Sequence, residues 1–376
     1  MEASGLCPKL TFVDTTASQD RSETKQKPDI SIYWKHPGDK DEIKRGLDFK
    51  ALDVWIENKN KNDDIFLTLT ELKKDEKDGD LESHIRWTNS AYKICGQLIA
   101  YATALHHSQF RVFSFGVILF GEKGRLLRWD RSGVIYTEPF QWKTQPDTLY
   151  EFFWRLNFLS PVDRGYDTTV TSVMDDDDEV QAALSKLRAY EGWEDGEKLK
   201  VSNLYRFLVR DDCAIDGQLR SYIAPGAVWV TKALFGRCTF GYIAYDVAAS
   251  KLVYLKDFWR TDLPRIQKEG DVYRKLHDSR VPNIPTLGPA GDVPLSPDYT
   301  STCLAAVQRT KTQDYVKGSG HGAEWSPGRP CVEPYVHYRM VLETLGQPLN
   351  TFKSTRQLCE AIRDAIVGEE RSAFCL

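Results

Sequence analysis

Apolar and polar residues alternate in two early runs, DISIYW at 29–34 and LDVWIENK at 52–59. Both read as strands, and the charged, Gly-containing stretch between them predicts a meander or hairpin. A Lys- and Asp-rich stretch at 72–80 reads as a loop. Over 83–107 the apolar spacing becomes helical, with Ile85, Tyr92, Leu98, Ile99 and Ala102 on one broad side. Two further strands follow, RVFSFGVILFG and GRLLRWDRSG, and then an amphipathic helix around Thr148–Phe158. Strands, helix, strands, helix is the order of a compact α/β domain.

The texture changes near residue 170, where VTSVMDDDDEVQAALSKL sets four Asp and a Glu at 175–179 before a helical pattern. This run reads as a solvated acidic linker whose carboxylates favour a helix N-terminus. Residues 220–260 read as strands with a turn at Asp246–Lys251, and a helix is expected at about 264–278. The stretches 285–300 and 316–330, dense in Gly, Pro and Ser, read as loops around a short strand. A strand, VHYRMVLE, and a helix, STRQLCEAIRDAIV, come last. The expected organisation is a flexible leader at 1–26, an α/β domain at 27–170, an acidic linker at 171–184 and a second domain at 185–376, α+β overall.

Composition supports a folded chain. Of 376 residues, 41% are apolar and 12% aromatic, enough for a sizeable core in each of two domains. The 50 Lys and Arg nearly balance 54 Asp and Glu, so there is no global basic field of the kind that tracks a nucleic-acid backbone. No apolar run approaches the length of a membrane span, and the polar N-terminus lacks the pattern of a secretory signal. The eight cysteines include no CxxC pair, which argues against a zinc ribbon or a disulfide scaffold. An intracellular protein with reduced thiols, in cytoplasm or nucleus and without a membrane partner, is the expectation.

Seven segments then occur in order: GQLIAYATAL, FSFGVILFGEKGRLLRWDRSG, EFFWRLNFLSPVDRGYDTTV, FGRCTFGYIAYD, LVYLKDFWR, EGDVYRKL and VHYRMVLETLGQPL. Together they resemble the fungal-type protein kinases, from about Lys27 to Ile366. The resemblance implies an accessory N-terminal domain followed by a divergent kinase-like small lobe and its first following helix, with ATP and Mg²⁺ as ligands. A kinase small lobe needs a glycine hairpin near the triphosphate, a strand lysine for the phosphates and a helix glutamate to hold that lysine. The candidates are Gly236 and Gly241, Lys256 and Glu269, with the adenine-holding hinge at Glu343 to Leu345. Against each stands a plainer reading: an ordinary hairpin, a strand-capping lysine, a solvated charged helix face.

Phosphoryl transfer also needs an aspartate to orient the hydroxyl and another to hold magnesium. No HRD-like or DFG-like segment occurs before Phe374-Cys375-Leu376, so the large lobe is expected to be missing. The expected outcome is a catalytically incomplete, pseudokinase-like chain that binds ATP weakly or binds protein partners.

A second chemistry is written in the N-terminal domain. Pro28-Asp29, followed on a later strand by Glu57-Asn58-Lys59, resembles the PD-(D/E)XK nucleases and implies a restriction-endonuclease-like fold. Alternate strand residues share a face, so Glu57 and Lys59 project together. Asp29 and Glu57 could hold Mg²⁺ while Lys59 orients an attacking water at a phosphodiester, with nucleic acid as the partner. Gln97 and Tyr101, four residues apart, share one side of the following helix. The plainer reading makes Glu57 and Lys59 an exposed charged pair, and Glu71-Leu72-Lys73 is a ready decoy. His106 and His107 read as cations at a helix C-terminus, His337 as a core or hinge-flanking residue, and Arg128-Trp129-Asp130-Arg131 as a stacking and salt-bridge cluster.

Overall fold

Leu52–Lys59 is buried on both faces over its first six residues, as in a strand covered on both sides. A computed structural model describes residues 5–17, 26–35, 47–68, 70–71, 85–86, 88–190, 198–214, 218–297, 306–318, 332–347 and 349–373. The stretch 72–80 with Lys73, residues 319–330 and residues 374–376 therefore lie outside the described residues. The chain divides into two compact units. The first is Met1–Asp167 with Lys232–Gly236 and Thr310–Pro334; the second is Thr168–Thr231, Arg237–Arg309 and Tyr335–Leu376. Helices stand beside one mixed and one antiparallel sheet, which makes the chain α+β.

In the first unit β1 (Leu10–Asp14), β2 (Ile30–Trp34) and β3 (Leu52–Lys59) form an antiparallel meander. A parallel neighbour needs a long crossover, and helix α1 (Asn89–Ser108) supplies it, so that β4 (Ser114–Phe120) runs parallel to β3. The sheet continues antiparallel through β5 (Lys123–Asp130) to β6 (Gly133–Tyr136), with β7 (Phe140–Gln141) also on β5. On one face Leu98, Tyr101, Ala102 and Leu105 of α1 meet Trp55, Ile118 and Leu127. On the other, Leu149, Phe153 and Leu156 of α2 (Asp147–Leu156) meet Val54, Ile56, Val117 and Leu119. Gly116 makes the first packing possible, since a Cβ there would stand 2.3 Å from the Trp55 ring.

Three expectations change in this unit. The leader at 1–26 holds β1, paired along its length with β2 and anchored by buried Cys7 and Leu10; five alternating residues were too short to stand out from polar surroundings. The helix expected from residue 83 begins at Asn89, where Thr88 accepts a hydrogen bond from Ala91 N and so caps the first turn. His106 is no helix-end cation. It is buried against Ser114, and burial, then the nearby arginines, drive its pKa far down.

The second unit is built on a sheet in the order β14, β15, β13, β12, β10, β9, β8, all antiparallel. Its strands are β8 (Val170–Ser172), β9 (Tyr205–Arg210), β10 (Leu219–Ala224), β11 (Trp229–Val230), β12 (Phe240–Asp246), β13 (Lys251–Thr261), β14 (Leu287–Asp292) and β15 (Tyr335–Leu342); β11 pairs with β12. Helix α3 (Asp178–Arg188), capped by Asp177, packs Val180, Leu184 and Leu187 on Ile223 and Ile243. The acidic stretch 171–184 thus contains the end of β8 and the start of α3. Helix α4 (Glu269–Asp278) starts five residues later than the expected 264, because Lys268 keeps an extended backbone at ψ 139° and stands as its N-cap. β14 forms inside the Gly- and Pro-rich stretch 285–300. It is an edge strand with a register shift between Leu287 and Ala290, where Pro289 lacks the N–H a regular ladder would use. A short helix α5 (Thr312–Gly318) belongs to the first unit, and α6 (Thr355–Ala373) to the second.

Candidate functional site

Pleating puts Trp55, Glu57 and Lys59 on the α1 face of β3, and Trp55 packs edge-on against Tyr101 at 5.4 Å. That contact places one turn of α1 directly over the last residues of the strand. Lys59 Nζ lies 2.5 Å from Glu57 Oε1 and 2.8 Å from Gln97 Oε1. Gln97 Nε2 donates to Glu57 Oε1 at 2.9 Å and to Tyr101 Oη at 2.6 Å, and the single Tyr101 O–H has two acceptors in reach, Lys27 O at 2.6 Å and Glu57 Oε2 at 3.1 Å. Asp29 arrives from the start of β2, its Oδ2 accepting from Asn58 N at 2.7 Å.

All five residues expected there are gathered, and the pair is no exposed ornament: Glu57's side chain is only 4% exposed. Desolvation raises the Glu57 pKa, the Asp29 charge adds to that, and Lys59 and Tyr101 oppose it. Burial, then Glu57, holds the Tyr101 phenol protonated, so it stays a donor. Glu71, the decoy, is elsewhere: Arg86 grips both its oxygens at 2.8 and 2.9 Å and, with the Thr68 hydrogen bonds, brings its pKa down to about 2.

The second cluster is on β13. Lys256 and Phe258 face α4, whose first residue is Glu269, and Lys256 Nζ lies 2.5 Å from Glu269 Oε1. The helix sits close because Gly270 has no side chain; a Cβ there would be 2.5 Å from Tyr338 Oη and 2.9 Å from Ala290 Cβ. Lys268 ties down the same turn, reaching Asp212 Oδ2 at 2.6 Å and Asp292 Oδ2 at 2.7 Å, while Arg260 holds Asp292 from β13 at 2.7 Å. Glu269 is therefore not an i to i+4 partner on a solvated face. Its second oxygen accepts from Arg237 at 2.9 Å, an interaction the sequence reading did not contain. A basic residue inside a glycine hairpin was the available signal.

The hairpin glycines are differently placed. Gly236 has φ +89°, and its N–H donates to Arg131 O at 2.9 Å. Gly241 is within β12, opposite Lys256, and the hydroxyl of Tyr254 covers its open side, 1.9 Å from where a Cβ would be. Neither forms a backbone cradle for a phosphate. Glu343, past β15, pairs with Lys251 at 2.9 Å, and its N–H donates to Thr286 O at 2.9 Å. Leu345 packs on the α3 core. The pairing of Tyr254 with Leu342 and of Lys256 with Met340 places the Glu343 backbone about three residues from Lys256 along the sheet, about 10 Å at ~3.3–3.4 Å per residue.

Behind Lys256, on the other sheet face, Asp257 accepts from His337 and from Arg339 Nε at 2.8 Å, and Trp259 stacks flat on His337 at 4.7 Å. Burial works to raise the Asp257 pKa, but His337 and Arg339 override it and hold it well below the carboxylate range. His337 is thus a buried network member. Arg128 pairs with Asp130 at 2.8 Å and lies over Phe113, and Trp129 stacks on Phe235, as expected of that cluster.

Among the described residues no group of three or more His, Cys, Asp or Glu is arranged to hold a metal ion, and no helix is long and apolar enough to cross a membrane. A family model described as fungal protein kinase matches residues 80–372. No curated protein and no solved structure matches the chain.

Proposed function

With a chain that belongs to the fungal protein kinase family as the premise, we propose that its second unit is a nucleotide-binding lobe. One observation carries this reading: Lys256 Nζ against Glu269 Oε1 at 2.5 Å. A lysine so held presents a fixed positive charge where the phosphates of Mg·ATP would lie, with the base at the Glu343 hinge that follows the neighbouring strand. Magnesium, when bound with the nucleotide, would neutralise charge between the phosphates. The residues that would receive the nucleotide are Lys256, held by Glu269, and the backbone around Glu343 and Leu345. The reading is one of nucleotide binding, and the compartment that fits it is intracellular. Calorimetric titration with Mg·ATP tests it. Binding by the full chain that is lost in Lys256→Met supports the proposal, and a folded chain that takes up no Mg·ATP removes it.

A second reading rests on the Asp29, Glu57, Lys59, Gln97 and Tyr101 cluster, a specific arrangement that a purely structural ion pair does not require. In it the first unit cleaves phosphodiesters. Asp29 and Glu57 would hold a divalent ion that lowers the pKa of an attacking water, while Lys59, oriented by Glu57 and Gln97, stabilises the developing phosphorane charge. Mg²⁺- or Mn²⁺-dependent cleavage of DNA or RNA, abolished by Glu57→Gln, is the expected result. Cleavage indifferent to that change, or no cleavage with either metal, overturns it.

A further inference from the structure

The Lys256 site has two cations and one carboxylate. Arg237 stands in the turn between β11 and β12, and its carbonyl accepts from Trp259 N at 2.8 Å, which fixes its backbone to β13. The next residue, Cys238, is buried with φ +40°, a strained conformation that turns the chain back into β12. From this anchored position the Arg237 guanidinium lies over the Phe258 ring at 4.9 Å and donates to Glu269 Oε2 at 2.9 Å. Lys256 Nζ lies over the same ring at 4.8 Å and takes the other oxygen of the same carboxylate. Glu269 offsets one of the two charges, so the cluster carries a net positive charge at its open edge. Arg237 is 55% exposed and Lys256 23%, so both have room to turn toward an incoming anion.

Gly236 N–H is engaged with Arg131 O, and the Tyr254 hydroxyl occupies the space beside the Gly241 Cα. A guanidinium presents paired donors in a planar fork that matches phosphate oxygens. We propose that Arg237 is a phosphate-binding residue of this site, taking with Lys256 the polyphosphate of a nucleotide in place of a glycine-loop backbone cradle. This rests on the nucleotide-binding reading of the second unit.

Titration of the full chain with Mg·ATP and with adenosine, for wild type, Arg237→Ala, Arg237→Lys and Lys256→Met, tests it. Arg237→Ala should weaken Mg·ATP by about tenfold or more and leave adenosine within about twofold, as loss of a charge-assisted contact to phosphate requires. Arg237→Lys should recover part of the loss. If Arg237→Ala binds Mg·ATP like wild type while Lys256→Met does not, Arg237 is only a structural partner of Glu269 and this inference falls alone. If Arg237→Ala loses adenosine and Mg·ATP equally, the effect is on folding of the lobe and the inference also falls. If the folded wild type binds neither ligand, the nucleotide-binding reading falls, and this inference with it.

Discussion

Lys256 Nζ stands 2.5 Å from Glu269 Oε1, joining the middle of β13 to the first residue of α4 across thirteen positions of sequence. Both side chains remain about a quarter exposed, so the pair adds little to stability and much to the placement of one charge. Glu269→Gln should therefore lower Mg·ATP affinity by about tenfold, the scale of a charge-assisted hydrogen bond, while moving the urea midpoint only slightly. A midpoint shift as large as that of a core deletion, with affinity unchanged, would contradict this.

The Lys268 ammonium bonds neither charged group of that pair, yet it sets where Glu269 can be. Burial works to lower its pKa, but Asp212 and Asp292 override it and raise it, and because Lys268 as N-cap makes no side-chain capping bond, these ion pairs anchor the start of α4. Lys268→Met should destabilise the second unit by about 2 kcal/mol, from loss of hydrogen bonds to charged groups. It should also weaken Mg·ATP with no contact to nucleotide removed. Lys268→Arg, which keeps the charge, should restore affinity; equal affinity in all three proteins would assign Lys268 to stability alone.

Asp257 is the most demanding position on the opposite face. Asp257→Asn removes the counter-charge of Arg339 and replaces one of the two carboxylate acceptors by an amide donor, while leaving Arg339 and His337 buried. Stranding a buried charge costs about 3–5 kcal/mol, and chemical denaturation should show a loss on that scale. A loss below about 1 kcal/mol would mean that water or another group compensates Arg339.

The pH dependence of Glu57 has a definite sign. Its pKa is raised in the folded chain, so between the ordinary value of 4.5 and the raised one the folded state holds more protons than the unfolded state. Stability from this group is then fully present below 4.5 and is lost as pH rises through the folded value. The stability difference, wild type minus Glu57→Gln, should fall with rising pH across that window in urea titrations. A difference that stays flat or rises would show that Glu57 titrates as an exposed carboxylate.

Much of the local structure was legible because it follows from short-range rules. The alternation in LDVWIENK, the i to i+4 interval of Gln97 and Tyr101, and the turn at Asp246–Lys251 each specify a face or a reversal within a few residues. β1 was missed because five alternating residues in a polar stretch acquire meaning only beside β2. β14 was missed because its edge position tolerates the Gly and Pro that ordinarily mark a loop. The N-terminus of α4 was placed too early, since Lys268 is decided by Asp212 and Asp292, far away in sequence.

By itself the sequence determined the types of element, the family, and the residues able to carry charge chemistry, because periodicity, turn residues and ordered segments are properties of neighbours along the chain. Tertiary structure alone decided which of those charges meet. Arg237 and Lys256 share one carboxylate because the turn before β12, the middle of β13 and the start of α4 meet at Phe258, and Glu57 rises in pKa because α1 lies over it. Desolvation and Coulomb interaction depend on distance through space, and no interval in the sequence reports it.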